Sequence, residues 1–151
     1  MELQRQPNRW SCLPTAFAMC FDIPVTEVII ALKHDGSAII RSDKPEPYKR
    51  RGFHPQELIL YGLQKRFAVI PIDILGLALT DGETITPIEQ DIDEMNRIIN
   101  SHIGVMTGYT KPEYKPHAVA WDGDTIYDPN GTFYGPDRFQ IATFYLIIRL
   151  K

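Results

Sequence analysis

Two rhythms of apolar and polar residues divide this chain. Up to about residue 100 the apolar positions mostly recur at helical spacing; beyond it they come in strand-length runs. Residues 12–20, Cys-Leu-Pro-Thr-Ala-Phe-Ala-Met-Cys, are small and apolar on every side, with proline in the opening turn. That pattern predicts a buried helix, because a first turn tolerates proline and an all-round apolar helix belongs inside a fold. Pro24 to Lys33 sets Ile29, Ile30 and Leu32 beside Glu27 and Lys33, with Gly36 as a stop, and predicts a second short helix. Pro55 to Lys65 reads as a third, entered through Pro55. Val69 to Ile74 alternates enough to be a strand. Ile88 to Asn100 returns to helical spacing through Ile88, Ile92, Met95, Ile98 and Ile99. Ile103–Tyr109, His117–Trp121, Thr125–Asp128 and Ile141–Leu150 then read as strands. Helices first and consecutive strands later predict an α+β fold, with N-terminal helices packed on a C-terminal antiparallel β-sheet.

One hairpin carries a geometric expectation. Asp122-Gly123 is a type I′ turn signal between two strands. With these residues as the loop, opposite positions sum to 245 and His117 faces Asp128. With Gly123-Asp124 as the loop the sum is 247 and His117 faces Asn130. Directly opposed residues have Cβ atoms roughly 4.5–5.5 Å apart, close enough for a side-chain amide or carboxylate to hold an imidazole.

Composition narrows the setting. A length of 151 residues fits one domain, 1–151, and 44% hydrophobic residues can fill a core. Sixteen basic and nineteen acidic side chains give a net charge of -3. No global field is present to gather nucleic acid or an anionic membrane, and neither is expected as a partner. The longest apolar runs, such as Ala142 to Ile148, are far short of the ~20 residues of a membrane span. Met1 to Gln6 lacks the apolar stretch of a secretory signal, so a cytoplasmic location is expected. One stretch stands apart: Arg41-Ser42-Asp43-Lys44-Pro45-Glu46-Pro47-Tyr48-Lys49-Arg50-Arg51 is basic and proline-rich. It reads as a solvated loop or, more sharply, as a loop that contacts an acidic partner or substrate.

Candidate chemistry begins with the two cysteines. They lack Cys-x-x-Cys spacing, so redox and zinc readings fall away and no cofactor is expected. Cys12 opens a helix, where unpaired N–H groups and the helix dipole favour negative charge on a thiol. Cys20 lies beyond the apolar part of the same helix and reads as a packing residue. Of the four histidines, His34 suits a helix C-cap, His54 precedes a helix-opening proline and His102 ends a helix. His117 differs, because it opens an apolar strand where a polar ring can point into a site. Trp10 and Trp121 read as core or cleft-wall aromatics. Tyr109, Lys111 and Tyr114 precede His117 in a loop that could line a substrate groove.

Gln6-Pro7-Asn8-Arg9-Trp10-Ser11-Cys12, then Cys12-Leu13-Pro14-Thr15-Ala16, a late strand opening with His117, and a strand end Asp128-Pro129-Asn130-Gly131 follow in order along the chain. This arrangement resembles the papain-like cysteine peptidases, and specifically the peptidase C39-like group. Leu13 stands where that group commonly has glycine. The resemblance implies a papain-like fold and a peptide or protein substrate. It implies Cys12 as nucleophile, His117 as base and then acid, and Asp128 as the group that orients His117. Gln6 would then donate its side-chain amide to an oxyanion, together with the Cys12 N–H. The rival expectation is a non-enzymatic module of the same fold that grips a peptide or partner protein, to which Leu13 and the basic loop would contribute.

Overall fold

Helix α1 (Cys12–Phe21) is the spine on which the other elements are placed. Every residue from Leu13 to Phe21 is buried, as its all-round apolar sequence requires. The large side chains Phe17, Met19 and Phe21 each contribute roughly 1.5–3 kcal/mol by leaving water. The helix stops at Asp22, which turns left-handed (φ 58°), while the Asp22 and Ile23 N–H groups donate to the Met19 and Ala18 carbonyls. The chain then enters α2 (Val25–Leu32), which buries only Val25 and Val28. Gln4 staples this corner, accepting from the Val25 N–H at 2.8 Å and donating to the Ile23 carbonyl at 2.9 Å. Helix α3 (Pro55–Gln64) begins in a capping box between His54 and Glu57.

The structure, a computed structural model, describes residues 1–74 and 89–151. Strand β1 (Phe67–Asp73) follows α3, and α4 (Glu89–Ser101) leads into the strand half. The expected start of this helix at Ile88, and the side chain of Ile92, lie outside the described residues. Strands β2 (Gly104–Thr110), β3 (Pro116–Trp121), β4 (Ile126–Asp128), β5 (Thr132–Tyr134) and β6 (Phe139–Arg149) complete an antiparallel sheet. Its order is β1-β6-β2-β3-β4-β5. The α+β architecture read from the sequence is the observed one. Strand β5 was not expected, since three residues are too few to carry a period. Among the described residues no single helix is long and apolar enough to cross a membrane.

Strand alternation sorts the core into two sides. Val105, Ala118, Ala120, Tyr145 and Ile147 meet α1, the two alanines letting the helix come close. Met106, Val119, Trp121, Phe144 and Leu146 share the other side with Ile99 of α4. The Trp121 indole N–H donates to the Ile99 carbonyl at 2.8 Å, so this tryptophan is a core residue rather than a cleft wall.

The β3–β4 hairpin corrects the first register expectation. Ala120 pairs with Tyr127 and Trp121 with Ile126, so opposite positions sum to 247 and the loop is Gly123-Asp124. The Asp122 carboxylate sets that choice by accepting from the Asp124 and Thr125 N–H groups at 2.9 and 2.8 Å. Gly123, at φ 104°, supplies the left-handed residue the turn needs.

Candidate active site

His117 is the second residue of β3, and its cross-strand neighbour on β2 is Gly108. A side chain at 108 is impossible, because its Cβ would stand 2.0 Å from the Gln140 carbonyl oxygen. The same place carries a bulge between β2 and β6, where the register shifts at Thr107/Gly108. Bulges bend a strand and re-aim its side chains. The His117 ring therefore stands at a bent sheet end with no side chain beside it on β2.

Asp128 ends β4 and shares a sheet face with His117 by alternation, through Ile126 and Val119. In the observed register the two residues are diagonal rather than opposed, a separation that longer side chains still bridge. The His117 Nε2 lies 2.8 Å from Asp128 Oδ1. The hairpin tip 128–131 then organises the carboxylate. Three residues link Asp128 to its partner Thr132, with Gly131 left-handed at φ 95°, the three-residue hairpin that Asp-Pro-Asn-Gly favours. This curl brings the Asn130 N–H to Asp128 Oδ1 at 2.9 Å. Tyr134 on β5 donates its hydroxyl to Oδ2 at 2.5 Å. Asp128 is 2% exposed, so a buried carboxylate has a donor on each oxygen.

Cys12 reaches the same ring from the N-terminus of α1. Burial alone would lower the His117 pKa, but the hydrogen bond to Asp128 and the hydrogen bonding and charge of Cys12 overcome it and raise it to about 9. Burial likewise pushes Asp128 up, and the bonds and charge of His117 with the Tyr134 and Asn130 donors hold it below the usual carboxylate range. Nε2 is engaged by Asp128, so Nδ1 is the ring nitrogen open to a second partner. Ser11, the N-cap residue, donates its hydroxyl to the Asn8 carbonyl at 3.1 Å and forms no side-chain cap. No side chain of the N-cap residue therefore occupies the first N–H groups of α1.

The N-terminal strap brings Gln6 to this place. Its backbone N–H donates to the Pro129 carbonyl at 2.8 Å, one residue past Asp128. Arg5 packs over Gly131, where an added Cβ would meet the guanidinium nitrogen at 2.5 Å. The Gln6 side-chain oxygen is buried with no hydrogen-bond partner among the described residues. Its amide is uncommitted, and a flip exchanges the oxygen for the NH2 group.

The other candidates fall elsewhere. Cys20 is buried against the sheet, donates to the Gly104 carbonyl at 3.2 Å, and has its pKa pushed up to about 12 by desolvation. His54 caps α3, accepting from the Gln56 N–H at 3.1 Å. His102 sits at the end of α4 against the Ile98 carbonyl at 2.8 Å. His34 is not the C-cap expected of it, because Lys33 takes the left-handed position; the His34 ring stacks on Phe53 and meets Glu57. Trp10 is half-buried under the Arg50 guanidinium, 4.8 Å from its ring centre. Lys111 lines a small hollow of about 210 Å³ with Asp128, Tyr134 and Arg138, while Tyr109 and Tyr114 are exposed. Sequence reasoning missed Tyr134 and Gly108, which have no period or motif around them. Among the described residues no group of His, Cys, Asp and Glu side chains could hold a metal ion. No protein-family model matches the chain, and no curated protein matches it in sequence.

Proposed function

We propose that this protein is a cysteine-dependent hydrolase resembling the papain-like, C39-like peptidases, which cleaves a peptide or isopeptide bond. The observation that carries the reading is one imidazole placed between a buried carboxylate and a thiol at a helix start. A nucleophile, a proton shuttle and donors for a developing oxyanion are the parts acyl transfer needs.

The steps follow from the positions. The Cys12 sulfur attacks the scissile carbonyl carbon, and the proton of the thiol resides on His117. The carbonyl oxygen becomes an anion and takes hydrogen bonds from the Cys12 backbone N–H and the Gln6 side-chain amide. The C–N bond then breaks, and the His117 imidazolium gives its proton to the departing amine. Water attacks the thioester carbon and delivers a proton to His117. The C–S bond breaks, the acid product leaves, and Cys12 and His117 return to their starting state. Asp128 keeps the ring oriented and stabilises its charged form throughout.

Alkylation with iodoacetamide at pH 6, read by mass spectrometry, tests the site. Cys20 is buried and serves as the slow internal reference, so the readout is the Cys12 rate itself: rapid labelling at pH 6 is expected, falling about tenfold or more in His117→Ala. Equal slow labelling of both thiols would sink the proposal and favour the non-enzymatic binding module. A panel of peptide substrates with a Cys12→Ala control then tests hydrolysis itself.

A further inference from the structure

The basic, proline-rich loop is not a free solvated strand of chain. Ile39 bridges Arg50 in antiparallel fashion, Ile40 N–H donates to the Lys49 carbonyl at 2.9 Å, and Arg51 N–H donates to the Ala38 carbonyl at 2.7 Å. Arg50 also donates to the Ser37 carbonyl at 2.8 Å. The closed loop is docked on the segment that leads into the candidate nucleophile. Arg50 lies over Trp10, and Asn8 Nδ2 donates to the Asp35 carbonyl at 2.9 Å. Trp10 is two residues before Cys12, and two residues of chain span at most about 7 Å. The base of the loop therefore stands within a few peptide residues of the Cys12 sulfur.

Its surface has a definite chemistry. Residues 38–52 hold Arg41, Lys44, Lys49, Arg50 and Arg51 against Asp43 and Glu46, in a chain whose net charge is -3. Glu46 is occupied by Lys49 and Arg50, and Arg51 pairs with Glu57. Arg41 and Lys44 have no ion pair among the described residues, and both are exposed. Beside them Ile39, Ile40 and Tyr48 are 55%, 60% and 60% exposed. Large apolar side chains left in water next to uncompensated cations mark a surface made to be covered.

We propose that the 38–51 loop is a recognition surface beside the segment that leads into Cys12, and that it takes an acidic peptide whose carboxylates meet Arg41 and Lys44 while apolar side chains cover Ile39, Ile40 and Tyr48. That the bound peptide is also a substrate rests on the reading of Cys12 as nucleophile; the surface and its ligand chemistry do not. Binding is therefore tested in the Cys12→Ala protein, by fluorescence anisotropy with a labelled peptide of Glu and Leu and its counterpart in which Lys replaces Glu. The acidic peptide is expected to bind about tenfold tighter than the basic one at low salt, with the advantage shrinking as salt screens it. Both cations are exposed, so Arg41→Glu/Lys44→Glu keeps its fold and is expected to erase that advantage; Ile40→Ser is expected to weaken the acidic peptide about threefold through lost apolar burial. Equal binding of the two peptides, or an advantage that survives the double substitution, would overturn the proposal. So would a single-stranded oligonucleotide that displaces the acidic peptide and binds more tightly, which would make this a nucleic-acid surface. If the acidic peptide binds as expected but the wild-type protein never cleaves it or any other peptide, the hydrolase reading fails and the recognition surface stands.

Discussion

Two histidine–carboxylate pairs in this molecule have the same length and different surroundings. His34 Nε2 stands 2.8 Å from Glu57, and His117 Nε2 stands 2.8 Å from Asp128. Both rings are 18% exposed. The difference begins with the carboxylates, since the side chain of Glu57 is 23% exposed and that of Asp128 only 3%. It is completed at the second ring nitrogen. His34 Nδ1 accepts from the Gly36 N–H, and Arg51 crowds the ring and shares Glu57. Glu57 also closes the α3 capping box by accepting from the His54 N–H. All the valences of that pair are spent on holding loop and helix together. At His117 the remaining side of the ring meets Cys12. A His–carboxylate bond by itself therefore does not mark a catalytic pair, and the proposed role of His117 rests on its nearness to Cys12.

Replacing each ring by alanine gives the largest test of this comparison. His117→Ala is expected to lower kcat/KM by about a thousandfold, the scale of a lost general base and acid. His34→Ala is expected to keep kcat/KM within about twofold and to lose ~1–2 kcal/mol of stability, since it removes a buttress of the loop and of α3. Peptide hydrolysis and denaturant unfolding on the two variants read both numbers. The opposite pattern would assign the activity to the His34–Glu57 pair and overturn the proposed site.

The pH dependence tests the His117–Asp128 pair next. The His117 pKa is raised from 6.5 to about 9, so the folded state holds that proton more tightly than the unfolded chain. The stability this supplies is complete below pH 6.5 and is lost as the pH rises through about 9. The Tm gap between wild type and His117→Ala should therefore narrow across that window. Activity should fall on the same alkaline limb, by about tenfold per pH unit, because an unprotonated ring has nothing to give the leaving amine. An alkaline limb near pH 7 would mean that the Asp128 and Cys12 interactions do not hold the proton.

Much of this site is legible along the chain, and the reason lies in its local part. Cys12 announces itself by the proline-containing apolar run behind it, and His117 and Asp128 by a hairpin whose arms are close in sequence. The wrong register did not separate them, because a shift of two keeps both side chains on one face and turns an opposed pair into a diagonal one. What escaped is long-range or short. The Gln6 N–H bond to Pro129 joins positions more than a hundred residues apart. Gly108 is required by the approach of β6 at a bulge, which nothing near Gly108 signals. Strand β5, and with it Tyr134, is too brief for alternation to show.

Tyr134 gives a smaller effect that still distinguishes the pairs. Its hydroxyl is the donor on Asp128 Oδ2, and burial and the Asp128 charge push its own pKa up. Tyr134→Phe leaves that oxygen buried without its donor, at a cost of ~1–3 kcal/mol. We expect kcat to fall about tenfold with KM nearly unchanged, as the carboxylate loses its fixed rotation. The acid limb of kcat/KM should also move to higher pH, because Asp128 loses one of the donors that keep its pKa low. A purely structural tyrosine would change stability and leave both limbs in place.

The smallest expected effect decides which of two neighbours orients the ring. The register 247 is the one that would carry Asn130 to the position opposite His117, yet the ring meets Asp128. The Asn130 side chain turns the other way, its oxygen accepting from the Thr132 N–H and hydroxyl at 3.0 and 2.6 Å. Only its backbone serves the site, through the N–H that reaches Asp128 Oδ1. Any residue with an amide proton preserves that bond, so Asn130→Ala is expected to keep kcat within about twofold and to cost ~0.5–1.5 kcal/mol through the lost Thr132 contacts. Asn130→Pro removes the N–H itself and is expected to lower kcat well beyond the alanine variant. Steady-state kinetics on the two variants make the distinction: a large loss in Asn130→Ala would hand the orienting role to the asparagine side chain, and an unchanged rate in both would show that the turn's N–H contributes nothing to holding Asp128.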